Sequence, residues 1–162
     1  MLLIENTNKA ICRILVDADS CPVKDIIIDL AANYGIEVIF IASMSHYSQH
    51  SQGFQWIYVD SLPQAVDMAI SNLVQPGNVV VTQDYGLAAI ILGKGGKVVS
   101  PRGKVFTCEN IDLLLEQRNL EARIRKGGGR TKGPKALTKG DRQRFADNLI
   151  KIITAINQEL PS

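Results

Sequence analysis

Cysteine and histidine are scarce in this 162-residue chain: Cys12, Cys21 and Cys108 are widely spaced, and there are two histidines. An odd number of cysteines without a CxxC pair excludes a disulfide framework and gives no zinc-ligand spacing, so a reducing, cytoplasmic compartment is expected. No apolar run approaches the roughly 20 residues of a membrane span. The opening "MLLIENTNKA" lacks the basic-then-apolar order of a secretion signal, and no membrane association is expected. There are no internal repeats or low-complexity tracts, and the triple glycine at 127–129 is too short for a domain linker. Net charge is also small, at +2.

The chain is instead 46% apolar, enough for a sizeable core without staples. Its charge is unevenly spread. Arg118 to Arg144 holds ten Lys or Arg against two Asp or Glu, a local balance of +8, which leaves −6 for the remainder. A basic segment attached to an acidic body suits a polyanionic ligand, although a solvated loop and helix would read the same way.

Short apolar runs alternate with helical periodicity. Arg13–Val16 reads as a strand, and "SCP" as the start of a helix from Pro22 to about Tyr34 that ends at Gly35. "IEVIFIAS" is apolar enough for a strand buried on both faces of a parallel sheet. "WIYV", a helix over Leu62–Leu73, "NVVVT", a helix over about Gly86–Leu92 and "KVVS" follow. Helix-like "CENIDLLLEQRNLEARIRK", the loop "GGGRTKGPKA" and a helix from Lys139 to about Asn157 complete the chain, with Thr138 and Asp141 resembling a capping box. The expectation is an α/β three-layer fold, a mostly parallel sheet of about five strands with helices on both faces, in one domain spanning 1–162. Its core is expected over about 13–118, and the basic loop and C-terminal helix over about 119–157.

Open parallel sheets bind ligands beyond the carboxyl ends of their strands. Asp17 and Asp19 follow the first strand in "ILVDADSCP", Asp60 the third, and Asp84 the fourth in "VVVTQDYGLAA"; Asp67 lies on the intervening helix. Carboxylates gathered in a cleft repel one another unless a cation offsets them, and hard oxygen donors suit Mg²⁺ or Mn²⁺. Each Asp also has an ordinary reading. Asp19 could cap the first helix, Asp60 could serve a turn, and Asp67 could face solvent. Cys21 has no nearby catalytic partner in sequence, "SMSHYSQHSQ" reads as a solvated loop, and "GKGGK" follows a helix, the reverse of a phosphate-binding loop.

Together "VDADSCPVK", "GNVVVTQDYGLAA", "SPRGKVFTCENID" and "GGGRTKGPKALTKGDRQRF" resemble the YaiI/YqxD family of bacterial proteins, over about Arg13 to Ile150. That family is similar to PIN-like domains, whose nuclease members hold acidic residues around Mg²⁺ or Mn²⁺ at the sheet's carboxyl edge. By this resemblance Asp17 matches the acidic residue after the first strand, Thr82 and Asp84 the "T-x-D" after the fourth, and Asp67 the acidic residue on a helix. Relatives often carry a further acidic residue where this chain has Gln64.

The expected function is metal-dependent phosphodiester hydrolysis, with RNA as substrate. Asp17, Asp19, Asp67 and Asp84 are the catalytic and metal-binding candidates. Thr82, Arg102, Arg118, Arg123, Arg130, Lys132 and Lys135 are the substrate-binding ones. Two other readings stand beside it: a non-catalytic RNA-binding or regulatory module, and a phosphatase of the haloacid-dehalogenase type suggested by "DAD". The phosphatase would also need a Ser or Thr ending another strand, a role open to Thr82, and a later acidic pair, which the sequence lacks.

Overall fold

A computed structural model describes residues 12–48, 53–130 and 135–159 of the chain. The first strand, β1 (Arg13–Asp17), leads through one turn of 3-10 helix into α1 (Lys24–Tyr34), which Gly35 ends in the left-handed conformation. Helix α1 starts two residues later than the proline suggests, because Pro22 and Val23 make a turn and the Val23 carbonyl accepts the first helical bond from Ile27 N at 3.1 Å. There follow β2 (Glu37–Ser43), β3 (Gln55–Val59), α2 (Ala65–Leu73), β4 (Val79–Val81), α3 (Tyr85–Gly93) and β5 (Lys97–Val99). After them come β6 (Val105–Phe106), α4 (Ile111–Lys126) and α5 (Lys139–Glu159).

The fold is α/β, with one six-stranded sheet in the order β3-β2-β1-β4-β5-β6. All pairings are parallel except that of β6, which runs back along β5 after a tight turn from Ser100 to Lys104. This sixth strand adds to the five that the sequence pattern marks. It is two residues long, and its pairing depends on the turn rather than on any apolar run of its own. The chain builds outward from β1 to β3 and then returns to place β4 on the other flank of β1. Direction therefore reverses between β1 and β4, and a crevice opens at their carboxyl ends.

Strand alternation distributes the core between two faces. Ile14, Val16, Phe40 and Val81 point to the layer formed by α1 and α5, where Phe145, Leu149 and Ile153 of α5 are fully buried. Leu15, Ile41, Val80 and Val98 point to the layer of α2, α3 and α4. Both faces of β1 are thus covered, which is why its interior has no polar residue until Asp17 emerges at the edge. No described helix is long and apolar enough to cross a membrane.

Helix α5 is tied to the sheet at its first turn. Thr138 and Asp141 form the expected reciprocal cap, Asp141 N to Thr138 Oγ1 at 3.0 Å and Thr138 N to Asp141 Oδ2 at 3.1 Å. The β5–β6 turn then passes so close to this helix that a Cβ on Gly103 would lie 2.7 Å from Phe145 N and 2.8 Å from Arg144 C. Gly103 also has φ +88°, a conformation costly to other residues. Gly103→Ala should therefore lose about 2 kcal/mol or more, beyond the ~1 kcal/mol expected of a left-handed position in open space. Chemical denaturation of the two proteins checks this; a loss below ~1 kcal/mol would mean that the turn and helix separate easily.

Candidate acidic cleft

The crevice between β1 and β4 is organised by one hydroxyl. Thr82 is 1% exposed and extends β4 by a residue, opposite Asp17 at the end of β1. Its Oγ1 donates to Asp17 Oδ2 at 2.9 Å and accepts from Asp84 N at 3.1 Å. Asp84 in turn caps α3, its Oδ1 accepting from Leu87 N at 2.9 Å. Asp84 thus has the cap role open to any Asp before a helix and also stands beside Asp17.

Helix α2 brings the third carboxylate. It starts at Ala65 rather than Leu62, because Gln64, its N-cap residue, sits at φ +65° and cannot continue a right-handed helix. Gln64 is the one described non-glycine residue with positive φ, a conformation that carries strain and recurs where chains line a site. Asp67 in the first turn of α2 is then brought beside Asp84, close enough for the two carboxyls to act on one another. Together with Gln64, Ser71 and Arg118, this pair lines a cleft of about 490 Å³.

The electrostatics reflect crowding. Burial, then the charges of Asp84 and Asp17, push the Asp67 pKa up to about 6. Burial likewise raises Asp17, assisted by the charges of Asp19 and Asp84; the Thr82 bond and Lys24 oppose the rise. Asp17, Asp67 and Asp84 come from three separate elements and feel one another's charge.

Asp19 lies next to them but faces β2. Its two oxygens accept from Ser43 N at 3.1 and 3.2 Å, and its Oδ1 lies 3.1 Å from His46 Nδ1. His46 also reaches Ser43 Oγ at 3.0 Å. Both Ser43 and Asp19 meet the same ring nitrogen, so the set is not a nucleophile relay, which needs one partner on each nitrogen. Asp60 is exposed beyond β3. Cys21 is buried and its thiol is pushed up by that burial, so it is inert.

The basic candidates separate. Arg118 on α4 belongs to the cleft: a Cβ on Gly86 would lie 3.2 Å from Asp84 Oδ1 and 3.4 Å from Arg118 Nη1, so the bare glycine makes room for both groups beside α3. Arg102 lies on the other side of β4, paired with Asp141 at 3.0 Å. Arg123, Arg130 and Lys135 are exposed, and Lys132 falls outside the described residues. Arg142 is paired with Asp25 of α1 and serves the packing of α5. Gln83 was not singled out by its sequence. Its Nε2 donates to Ser20 O at 3.1 Å, linking the loops after β4 and β1.

The donor set is chemically suited to a hard divalent cation, being all carboxylate oxygen. Among the described residues, however, no three His, Cys, Asp or Glu side chains are disposed as a ready ligand shell. The carboxylates stand instead as neighbouring Asp67 and Asp84 with Asp17 beside them.

The sequence model described as "Uncharacterized BCR, YaiI/YqxD family" matches residues 15–155. The chain is 46% identical to a UPF0178 protein of Bacillus cytotoxicus over 144 residues, covering 89% of this chain and 94% of the relative. It is 47% identical to one of Oceanobacillus iheyensis, covering 88% and 99%, and 45% identical to one of Listeria monocytogenes, covering 85% and 94%. Among solved structures it is similar to a mutant of Rae1 (YacP) from Bacillus subtilis, at 22% identity over 85% of this chain and 98% of that one, with a TM-score of 0.38.

The raised pKa of Asp67 fixes a sign for stability against pH. The folded state holds the Asp67 proton more tightly than the unfolded state does, so this contribution is fully present below the ordinary value of 3.8 and is lost as pH rises through about 6. Asp67→Asn keeps the shape without the charge. In chelator it should raise the melting temperature by a few degrees at pH 7.5, and the gain should fade as the pH approaches 4. A gain independent of pH, measured by melting scans across this range, would remove Asp67 from the coupled cluster.

Proposed function

The chain belongs to the YaiI/YqxD family, and from its acidic cleft we propose that it hydrolyses phosphodiester bonds of RNA with the aid of Mg²⁺ or Mn²⁺. The observation that carries this reading is the convergence of Asp17, Asp67 and Asp84 at the reversal point of the sheet, with Asp17 and Asp67 both raised in pKa and Arg118 at the rim. Carboxylates held this close are costly for a scaffold and useful for a reaction.

Asp17, Asp67 and Asp84 are the residues that would hold the cation, with Asp19 behind them. When bound, the cation supplies Lewis acidity to a phosphoryl oxygen and lowers the pKa of water. Thr82 keeps Asp17 oriented by donating to Oδ2. The Asp67 carboxyl, raised to a pKa of about 6 by burial and by the charges of Asp84 and Asp17, would be drawn fully into its ionised form by a cation held among the three. Arg118, which can donate in a fork to phosphate oxygens, orients the substrate across the cleft. Arg102, Arg123, Arg130, Lys132 and Lys135 are proposed as contacts to the rest of the backbone.

The test is Asp17→Asn. In chelator the fold should survive with equal or higher melting temperature, because a buried charge has gone from a repelling cluster. Mn²⁺ should raise the melting temperature of the natural sequence and leave that of the variant nearly unmoved. Cation-dependent cleavage of single-stranded RNA should fall about a hundredfold or more, the scale of losing a group that stabilises transition-state charge. Equal cation responses in the two proteins, or RNA bound equally by both and cleaved by neither, would favour a non-catalytic module. Turnover of a generic phosphomonoester that depends on Asp17 without RNA cleavage would favour the phosphatase.

A further inference from the structure

A second concavity, of about 530 Å³, lies across β4 from the acidic cleft, with Gln83, Arg102, Lys104, Asp141 and Arg144 in its walls. Three cations face one carboxylate. That carboxylate is fully engaged: Asp141 Oδ2 accepts from Arg102 Nη1 at 3.0 Å and from Thr138 N at 3.1 Å, and its Oδ1 accepts from Arg144 Nη1 at 3.2 Å. Its carboxyl lies below the ordinary range, first through the Thr138 backbone bond, so it remains ionised as a brace. The described bonds of both guanidinium groups use Nη1 alone, out of five N–H donors each. The charge left over after the brace is positive.

The walls are also rigid. Lys104 is carried on a turn closed by Ser100 N to Lys104 O at 2.8 Å and Lys104 N to Ser100 Oγ at 3.1 Å. The same turn is pinned to α5 by Asn148 Nδ2 to Gly103 O at 2.6 Å and by Arg144 Nη1 to Arg102 O at 3.3 Å. Tyr85 and Phe106 pack edge to face at 5.5 Å and close the bottom with an apolar surface. Arg102 and Arg144, held in advance by Asp141, bind an anion with less of the entropy loss of gathering flexible side chains, and Lys104 adds its charge from a braced turn.

Position supplies the ligand. Gln83 lies in this concavity and its chain neighbour Asp84 lines the acidic cleft, so the end of β4 is all that divides the two. A polyanion crossing the sheet edge would meet the carboxylates on one side of β4 and these cations on the other. We propose that the concavity is a subsite for a non-scissile backbone phosphate of single-stranded nucleic acid, set beside the reacting phosphate at the acidic cluster. It rests on the reading of the cleft as a site for RNA.

Lys104 is the residue to change, because it is exposed and lies outside the Asp141 brace, so Lys104→Gln and Lys104→Glu should fold normally. The probe is a fluorescently labelled single-stranded RNA 10-mer, its anisotropy titrated in chelator across a range of salt concentrations. Lys104→Gln should weaken binding several-fold and Lys104→Glu about tenfold, and the logarithmic salt slope should flatten by about 0.7, the value for one phosphate contact on a single strand. The control is Lys97→Glu, an equal charge change at the opposite, amino end of β5. An equal loss in the control would show general attraction only and overturn the subsite. So would a nucleoside monophosphate or inorganic phosphate whose binding depends on Lys104 while that of the 10-mer does not, since the site would then take a free phosphate. Because the readout is binding without cation, Lys104-dependent binding by a protein that never cleaves RNA would sink the hydrolysis and keep the subsite.

Discussion

One buried hydroxyl sets the geometry of the carboxyl edge. Thr82 donates to Asp17 and accepts from the backbone of Asp84, so a single oxygen fixes a side chain at the end of one strand and the start of the helix after the next. A neutral donor there lowers the cost of the Asp17 charge without cancelling it, as a lysine would. The cluster keeps its negative potential, and its members are held where they repel. Position 82 therefore requires a side chain that both donates and accepts, and valine, which has the same shape, would take from Asp17 and Asp84 N the partner that orients them at the half-buried edge.

The edge is graded in charge from strand to strand. His46 and Asp19 lie past β2 and β1, the carboxylates cluster at β1 and β4, Arg118 stands at the rim on the α4 side, and Arg102, Lys104 and Arg144 gather past β5. The basic stretch from Arg118 to Arg144 is therefore not one surface. Arg118 belongs to the cleft, Arg142 fastens α5 to α1, and Arg144 belongs to the second concavity. Folding sorts a run of like charge into separate tasks according to the helix face each residue occupies.

The fold was legible because its strands are apolar runs buried on two faces and its helices begin and end on recognisable residues, such as Gly35 and the Thr138–Asp141 cap. The acidic edge was legible for the same reason. A carboxylate directly after a buried strand can only emerge at the rim, as Asp17 does, and Thr82 and Asp84 follow β4 in the same way. Asp67 was not legible from spacing, since one turn of helix decides whether it faces solvent or the cleft, and that turn is set by the left-handed Gln64. Strand β6 escaped because two residues carry no period. The Arg102–Asp141–Arg144 brace joins positions about forty residues apart, and charge patterning along a chain does not encode which distant helix end will meet which turn.

Helix α5 packs beside α1 on one face of the sheet and lies over β5, with Phe145, Leu149, Ile153 and Ile156 as its lining. One apolar layer thus joins the first described strand to the last described helix. During synthesis the part of that face roofed by α5, which includes Val99 of β5, must wait until about residue 156 has been made, although α1 is already in place beside it. Such long sequence separation slows closure of the fold and leaves an apolar sheet face open meanwhile. Nascent chains halted before α5 emerges would be the form of this protein most inclined to stick to others.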